Sequence, residues 1–140
     1  MKVKLLVLLL LPVIFVYSMP DSNSPSQLLD QYTEGVKGAS VKLLESSIDD
    51  KSVIIVKNNI IDKTNNYDKN EFISLIQKKI IGNWKSDSQV SSLYEDGNHA
   101  AFKMENLNGK IQYQSYVTCL KSGENWKIVS LVIDINKVSE

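Results

Sequence analysis

The sequence has no arginine and only one cysteine and one histidine among its 140 residues. Phosphate and nucleic-acid binding usually relies on the planar guanidinium group of arginine or on a clustered basic face. The lysines are scattered singly apart from Lys78-Lys79, so the sequence argues against a nucleic-acid partner. A single cysteine, Cys119, cannot form an intrachain disulfide, so packing alone must hold the fold together.

The motifs of several common enzyme classes are also missing. There is no Gly-x-Gly-x-x-Gly, no Gly-x-x-x-x-Gly-Lys and no Gly-x-Ser-x-Gly, the signatures of dinucleotide sites, phosphate-binding loops and serine hydrolases. One histidine without a second histidine or an acidic cluster provides too few ligands for a transition-metal site. We therefore expect neither a metal nor a cofactor.

The first 18 residues have the composition of a secretory signal peptide. Two lysines precede an apolar run over residues 5–16, and Ser18 ends a segment that a signal peptidase could read. The run is shorter than the roughly 20 residues of a membrane-spanning helix, although an uncleaved anchor is the alternative. We predict a signal peptide over 1–18, a polar tether over 19–25 and one domain over 26–140. The mature protein would be periplasmic or extracellular in a bacterium, with no membrane attachment after cleavage.

Three helices are predicted in the first half of the domain. Apolar residues recur at helical spacing over 26–36, and a shorter helix then ends at Asp49-Asp50. The third helix, from about Lys69 to Ile81, starts with the capping-box pair Asp68 and Glu71.

The remaining segments read as strands. The β-branched stretch 52–61 predicts one strand or two short ones with a bend at Asn58-Asn59, followed by a loop over 62–66. A strand over 86–95 and three more strands from Asn98 to Ile135 follow. Their turns are predicted at Asp96-Gly97, Asn108-Gly109 and Ser122-Gly123. Helices early and an antiparallel sheet late indicate an α+β domain.

The last predicted strand carries apolar residues on both of its faces. One predicted face carries Val129, Leu131, Ile133 and Ile135, and the other carries Trp126, Ile128 and Val132. Such a strand is covered on both sides. The helices of a small domain cover one side only, so a homodimer through the outer sheet face is predicted.

Few side chains suggest chemistry. His99 and Asp134 are weak candidates for an acid–base group, but both also fit exposed positions on strands. Cys119 fits a buried core residue better than a nucleophile. Aromatic residues are better candidates for a pocket that takes a small apolar or aromatic ligand, although each of them could equally fill the core. They are Tyr32, Tyr67, Trp84, Tyr94, Tyr113, Tyr116 and Trp126.

Five short motifs occur in an order and spacing that resemble a known superfamily. They are Tyr32–Gly38, Asp68–Ile73, Gly97–Phe102, Tyr113–Tyr116 and Gly123–Ile128. Together they resemble the nuclear transport factor 2-like superfamily, which includes ketosteroid isomerase and SnoaL-like proteins, and most closely its small bacterial branch labelled "putative lumazine-binding".

The resemblance implies a cone-shaped, strongly bent antiparallel sheet wrapped around the three helices, with a pocket between the helices and the concave face. It also implies dimerisation through the outer face of the sheet. By analogy with the fold, Tyr32 and Tyr116 would lie nearest the pocket, with Ser115 and Trp126 also lining it. Ser115 stands where the branch often has an acidic residue, and Ala39 where it often has Asp. The catalytic Asp residues of ketosteroid isomerase relatives have no counterpart that we can place.

We therefore expect an exported, non-catalytic module that binds a small molecule or serves an accessory role. One alternative is an isomerase, dehydratase or cyclase that uses Asp134, His99 or a tyrosine as its acid–base group. Another is a structural or interaction protein whose cone is filled by its own side chains. An open cavity of a few hundred Å³ would favour ligand binding.

Overall fold

The computed structural model describes residues 22–139. The predicted signal peptide and the first part of the tether lie outside these residues. The elements are, in chain order, α1 (Pro25–Lys37), α2 (Val41–Ser47), β1 (Ile48–Asn58), β2 (Lys63–Tyr67), α3 (Lys69–Gln77), β3 (Gln89–Glu95), β4 (His99–Asn108), β5 (Ile111–Ser122) and β6 (Asn125–Lys137).

Each helix begins at a side-chain cap. The Ser24 hydroxyl accepts from the Gln27 amide at the start of α1, and Ser40 caps α2 in the same way. At α3 the cap is reciprocal, because Asp68 accepts from the Glu71 amide while the Glu71 carboxylate accepts from the Asp68 amide. The predicted capping box is thus confirmed, although α3 ends at Gln77 instead of Ile81.

The six strands form one open, curved sheet in the order β2-β1-β6-β5-β4-β3. Every neighbouring pair is antiparallel except β1 and β6, which run parallel. The sheet is therefore mixed and not wholly antiparallel as predicted, while the α+β class and the three predicted turns are confirmed. The helices pack against one side of this sheet. We call that side the inner face and the opposite side the outer face.

Two predictions about the first strands are wrong. Asp49-Asp50 does not end a helix but lies inside β1, in a stretch that leaves the ladder between the pairs Ile48–Ile128 and Val53–Ser130. The segment predicted as a loop over 62–66 belongs largely to β2, which pairs with β1. β2 is an exposed edge strand and buries no side chain, so it shows no alternation of apolar residues in sequence.

A β-bulge in β6 corrects the predicted faces of the last strand. Thr118 pairs with Ser130, but Cys119 pairs with Ile128, so Val129 is inserted between the two pairs. One extra residue moves every later side chain to the other face. The buried residues of β6 before and after the bulge therefore share the inner face. They are Trp126, Ile128, Leu131, Ile133 and Ile135.

Part of the segment expected to be a tether belongs to the packed domain. Ser22 is buried, its carbonyl accepts from the Trp126 amide, and its hydroxyl donates to Gln31. Pro25 is buried in the first turn of α1. In the described part of the chain, no helix has both the length and the apolar character needed to span a bilayer.

Candidate ligand site on the inner face

Three aromatic side chains from separate parts of the chain meet between α1 and the inner face. Tyr32 comes from α1, Tyr113 from β5, and Trp84 from the irregular segment between α3 and β3. The Trp84 ring centroid lies 6.1 Å from that of Tyr32 and 6.3 Å from that of Tyr113, both with edge-on geometry. All three side chains are buried, so they form one contiguous aromatic cluster inside the fold.

Four polar atoms in and beside this cluster are buried without a hydrogen-bond partner among residues 22–139. They are Tyr32 Oη, Trp84 Nε1, Asn106 Oδ1 and Ser115 Oγ. A buried polar atom left unpaired destabilises a fold by about 1–3 kcal/mol, and most such atoms in native proteins are paired. Four of them in one region therefore require an explanation.

The sheet register brings these atoms onto neighbouring positions of the inner face. Asn106 lies directly opposite Tyr113, and Ser115 lies directly opposite Met104. Asn106 and Ser115 are therefore diagonal neighbours across β4 and β5, about 7–8 Å apart. Since Tyr113 contacts Trp84, the polar atoms and the aromatic cluster form a single site.

A groove of about 250 Å³ opens beside this site, between α1 and the start of β3. Ser88 lines this groove, and its hydroxyl accepts from Asn106 Nδ2 at 2.5 Å. Lys37 Nζ and Asp87 Oδ1 form an ion pair of 3.2 Å at its edge. The full lining is Leu29, Asp30, Thr33, Glu34, Lys37, Asp87, Ser88 and Val90.

The two tyrosines of the cluster are neutral hydrogen-bonding groups, and burial moves their ionisation further from neutral pH. Desolvation raises the pKa of Tyr32 far above its ordinary value, and it raises the pKa of Tyr113 in the same direction. Neither phenol ionises at neutral pH, so each acts there as a hydroxyl donor or acceptor and not as a base.

The structure separates the residues that the resemblance placed together. Tyr32, Ser115 and Trp126 are buried on the inner side, but Trp126 makes no ring contact with the cluster within the described chain. Tyr116 lies on the outer face and is 39% exposed. It cannot line a pocket with Tyr32, because adjacent residues of a strand point to opposite faces. The aromatic residue that β5 contributes to the cluster is Tyr113.

Asn106 is the site residue that sequence reasoning missed. It follows Phe102 and Met104 at a spacing of two residues along β4, so it shares their inner face. The sequence signal is a polar residue at a position where the alternation along the strand predicts a buried apolar one.

The two weak acid–base candidates lie away from the aromatic cluster. His99 begins β4 in an exposed turn, with Nδ1 3.6 Å from Asp96 Oδ1. A hydrogen bond from Tyr94, followed by those from the Asn98 and His99 amides, holds the pKa of Asp96 well below its usual range. Asp134 stands on the outer face, where it pairs with Gln114 and Lys57 in the ladders.

Cys119 is fully buried, as predicted, and its burial raises the pKa of the thiol to about 12. Within residues 22–139, no three acidic, histidine or cysteine side chains gather into a possible metal site.

Comparison with known protein families identifies the family of this chain. Residues 22–133 match the family described as "putative lumazine-binding". The chain belongs to this family. The match covers Tyr32, Trp84 and Tyr113 of the aromatic cluster and all four buried unpaired polar atoms.

Solved structures of nuclear transport factor 2-like proteins resemble this chain at low sequence identity. An NTF-2-like protein of unknown function from Silicibacter pomeroyi is 18% identical with a TM-score of 0.65, covering 79% of this chain and 92% of its own. A protein of the same description from Methylobacillus flagellatus is 17% identical with a TM-score of 0.63, covering 84% and 99%. At such identities the likeness shows the fold alone. No match was found among proteins of curated function.

Proposed function

We propose that this protein is an exported, non-catalytic module that binds a small molecule at the aromatic cluster. The observation that carries the proposal is the set of four buried polar atoms without partners. A chain that needed this region only as a core would gain stability by replacing those atoms with apolar groups. A bound molecule that pairs with them removes the penalty.

Two further observations support a binding role. The groove between α1 and β3 adjoins the site through Ser88, whose hydroxyl accepts from Asn106. The family description names lumazine binding, a role that fits a site lined by aromatic rings and hydrogen-bonding groups.

Comparing two preparations of the same protein tests the binding role. Protein purified from the cells that make it is compared with a sample that has been unfolded in urea, dialysed and refolded. A ligand retained from the cell stabilises only the first sample, so we expect that sample to unfold at a higher urea concentration. Identical urea midpoints in the two samples would speak against a retained ligand.

The non-catalytic part of the proposal rests on the positions of the acid–base candidates. His99 lies in an exposed turn and Asp134 on the outer face, whereas the buried tyrosines stay protonated at neutral pH. The alternative, an isomerase, dehydratase or cyclase that abstracts a proton, would need a base within reach of the bound molecule.

Export is proposed from the first 18 residues alone. Mature protein collected from the periplasm or the medium should begin at Met19, and intact-mass measurement checks this. A mass that includes residues 1–18 would favour the uncleaved anchor.

We also propose a homodimer through the outer face. The bulge in β6 removes the argument from its alternating residues, so the proposal is based on apolar residues that three strands place on this face. Tyr116 pairs with Val132 and Val132 with Ile55, so three apolar side chains cross β5, β6 and β1 in one row. Val53, 58% exposed, lies beside this row. We call these four residues the outer patch. The helices pack on the inner face, and contiguous exposed apolar surface of this kind favours association.

A further inference from the structure

Trp84 reaches the centre of the fold from a segment that has no regular structure. Residues 78–88 connect α3 to β3 without a helix or strand, yet Trp84 within them is only 5% exposed. Its indole lies between the rings of Tyr32 and Tyr113, and its Nε1–H is one of the unpaired buried donors. Aromatic packing therefore holds this side chain, without help from a hydrogen bond to its indole.

The backbone is fixed on both sides of Trp84 but not at Trp84 itself. The amides of residues 78–81 donate to carbonyls of α3, including the Ile80 amide to the Leu75 carbonyl at 2.9 Å, whereas residues 82–84 have no backbone hydrogen bond within the described chain. On its C-terminal side, the Lys85 amide donates to the Leu107 carbonyl at 3.1 Å and Ser86 Oγ accepts from the Leu107 amide at 3.0 Å. On its N-terminal side, Gly82 and Asn83 both have positive φ angles, of 87° and 55°. Three residues without backbone hydrogen bonds between two anchored ends can open locally while the helices and sheet stay folded.

We propose that the Trp84 indole is a displaceable plug that occupies the ring position of the ligand. This inference rests on the proposed binding function and adds to it a closing device and a ligand class. The bound molecule would replace the indole between Tyr32 and Tyr113, while residues 82–84 move outward and the flanking residues, Ser88 among them, keep their hydrogen bonds. The ligand is therefore a flat aromatic molecule of about the size of a fused two-ring system.

The unpaired polar atoms of the site indicate which hydrogen-bonding groups the ligand carries. Asn106 Oδ1 is an amide oxygen and can only accept, and the bond from Asn106 Nδ2 to Ser88 fixes this oxygen as the unpaired end of the amide. The ligand must therefore offer at least one N–H or O–H donor. Tyr32 and Ser115 carry hydroxyls that can donate to a carbonyl of the ligand. An N–H next to a C=O on the ring satisfies both requirements.

The charges around the site indicate that the ligand is neutral. The buried polar residues of the described chain are serines and one asparagine, with no charged side chain among them. The groove carries Asp30, Glu34 and Asp87 against the single cation Lys37. An anion would meet like charges in the groove and find no counter-charge inside.

Three small probes separate the parts of this proposal. Quinolin-2(1H)-one has two fused rings with adjacent N–H and C=O groups. 1-Methylquinolin-2-one keeps the rings and the carbonyl but lacks the donor, and quinoline-2-carboxylate carries an anion. We expect saturable binding of the first probe, and binding about tenfold or more weaker for the other two, because each leaves a buried group unpaired or a charge uncompensated.

The two tryptophans give a direct readout of plug movement. In ¹⁵N-labelled protein the indole N–H groups yield two cross-peaks, and the Trp126→Phe variant assigns the Trp84 peak. Saturating quinolin-2(1H)-one should shift the Trp84 peak toward the position of a solvent-exposed indole and leave the Trp126 peak in place. An unmoved Trp84 peak in the presence of bound probe would overturn the plug while leaving the binding function intact.

A variant without the indole provides an independent check. Trp84→Leu keeps an apolar side chain at this position, so it should fold where Trp84→Ala fails. It also removes the indole that competes with the ligand for the space between Tyr32 and Tyr113. Quinolin-2(1H)-one should then bind about tenfold more tightly than to the wild type, since no closed form has to be opened first. Unchanged or weaker affinity would contradict the plug. Equal affinity for the methylated probe would contradict the hydrogen-bonding assignment, and no binding of any probe would contradict the ligand class.

Discussion

Ser115 and Ser47 are two fully buried serines that differ in one respect. The Ser47 hydroxyl donates to the Leu43 carbonyl at 2.7 Å, whereas the Ser115 hydroxyl has no partner in the described chain. Ser47→Ala should therefore lower the free energy of unfolding by about 1 kcal/mol. Ser115→Ala should leave the free energy of ligand-free protein unchanged or raise it slightly. Urea denaturation of refolded samples measures both, and an equal loss in the two variants would mean that Ser115 is a structural group.

Cys119 is the residue whose burial makes stability depend on alkaline pH. Its pKa rises from 9.0 to about 12 in the folded protein, so the folded state holds its proton where the unfolded state releases it. The stabilising contribution is complete below pH 9 and is lost as the pH rises from 9 toward 12. The free energy of unfolding should fall over this window, and less steeply in Cys119→Ala. The raised pKa of Tyr32 and Tyr113 adds a decline of the same sign that both proteins share. Parallel curves for the two proteins would refute the contribution of Cys119.

At the scale of elements, the reciprocal cap of α3 makes a clear prediction. Asp68→Ala removes the acceptor for the Glu71 amide and should lower the free energy of unfolding by about 1 kcal/mol. Asn70, an exposed residue of the first turn, provides the matched control. Asn70→Ala should change the free energy by no more than a few tenths of a kcal/mol. Chemical denaturation distinguishes the two, and similar effects would show that the cap contributes little.

Elements specified by neighbouring residues could be predicted from the sequence, and those specified by distant partners could not. The capping box at Asp68 and the turn at Asn108-Gly109 involve residues within a few positions of each other, and both are present. The strand β2 exists because it pairs with β1, and its own polar residues give no sign of it. The bulge at Val129 is likewise visible only in the pairing of β5 with β6.

The same distinction explains what was predicted of the site. Tyr32 and Ser115 were placed near a pocket by resemblance, and both carry unpaired buried atoms. The face of Tyr116 was missed, because the phase of a strand relative to the core depends on packing in three dimensions. Trp84 lies in an irregular segment, so no periodicity could show that its indole enters the core.

At the scale of the whole molecule, the outer patch predicts the assembly state. Removal of residues 1–18, as proposed, would leave a chain of about 14 kDa, so the proposed dimer should sediment at about 28 kDa at micromolar concentration. Tyr116→Glu places a charge in the interface and should give the monomer. Ile61→Glu adds the same charge at an exposed apolar residue in the turn between β1 and β2, and should remain a dimer. A wild-type protein that sediments at about 14 kDa would contradict the proposal.

The central claim is that the aromatic cluster is a binding site and not only a core. Native mass spectrometry of mature protein from its own compartment, compared with its denatured mass, tests this claim most directly. We predict a non-covalent adduct that disappears on denaturation and has the mass of a small, uncharged, fused-ring molecule. The native mass of the bare protein alone, together with a loss of stability in Ser115→Ala like that in Ser47→Ala, would contradict the account and favour a protein whose inner face is filled by its own side chains.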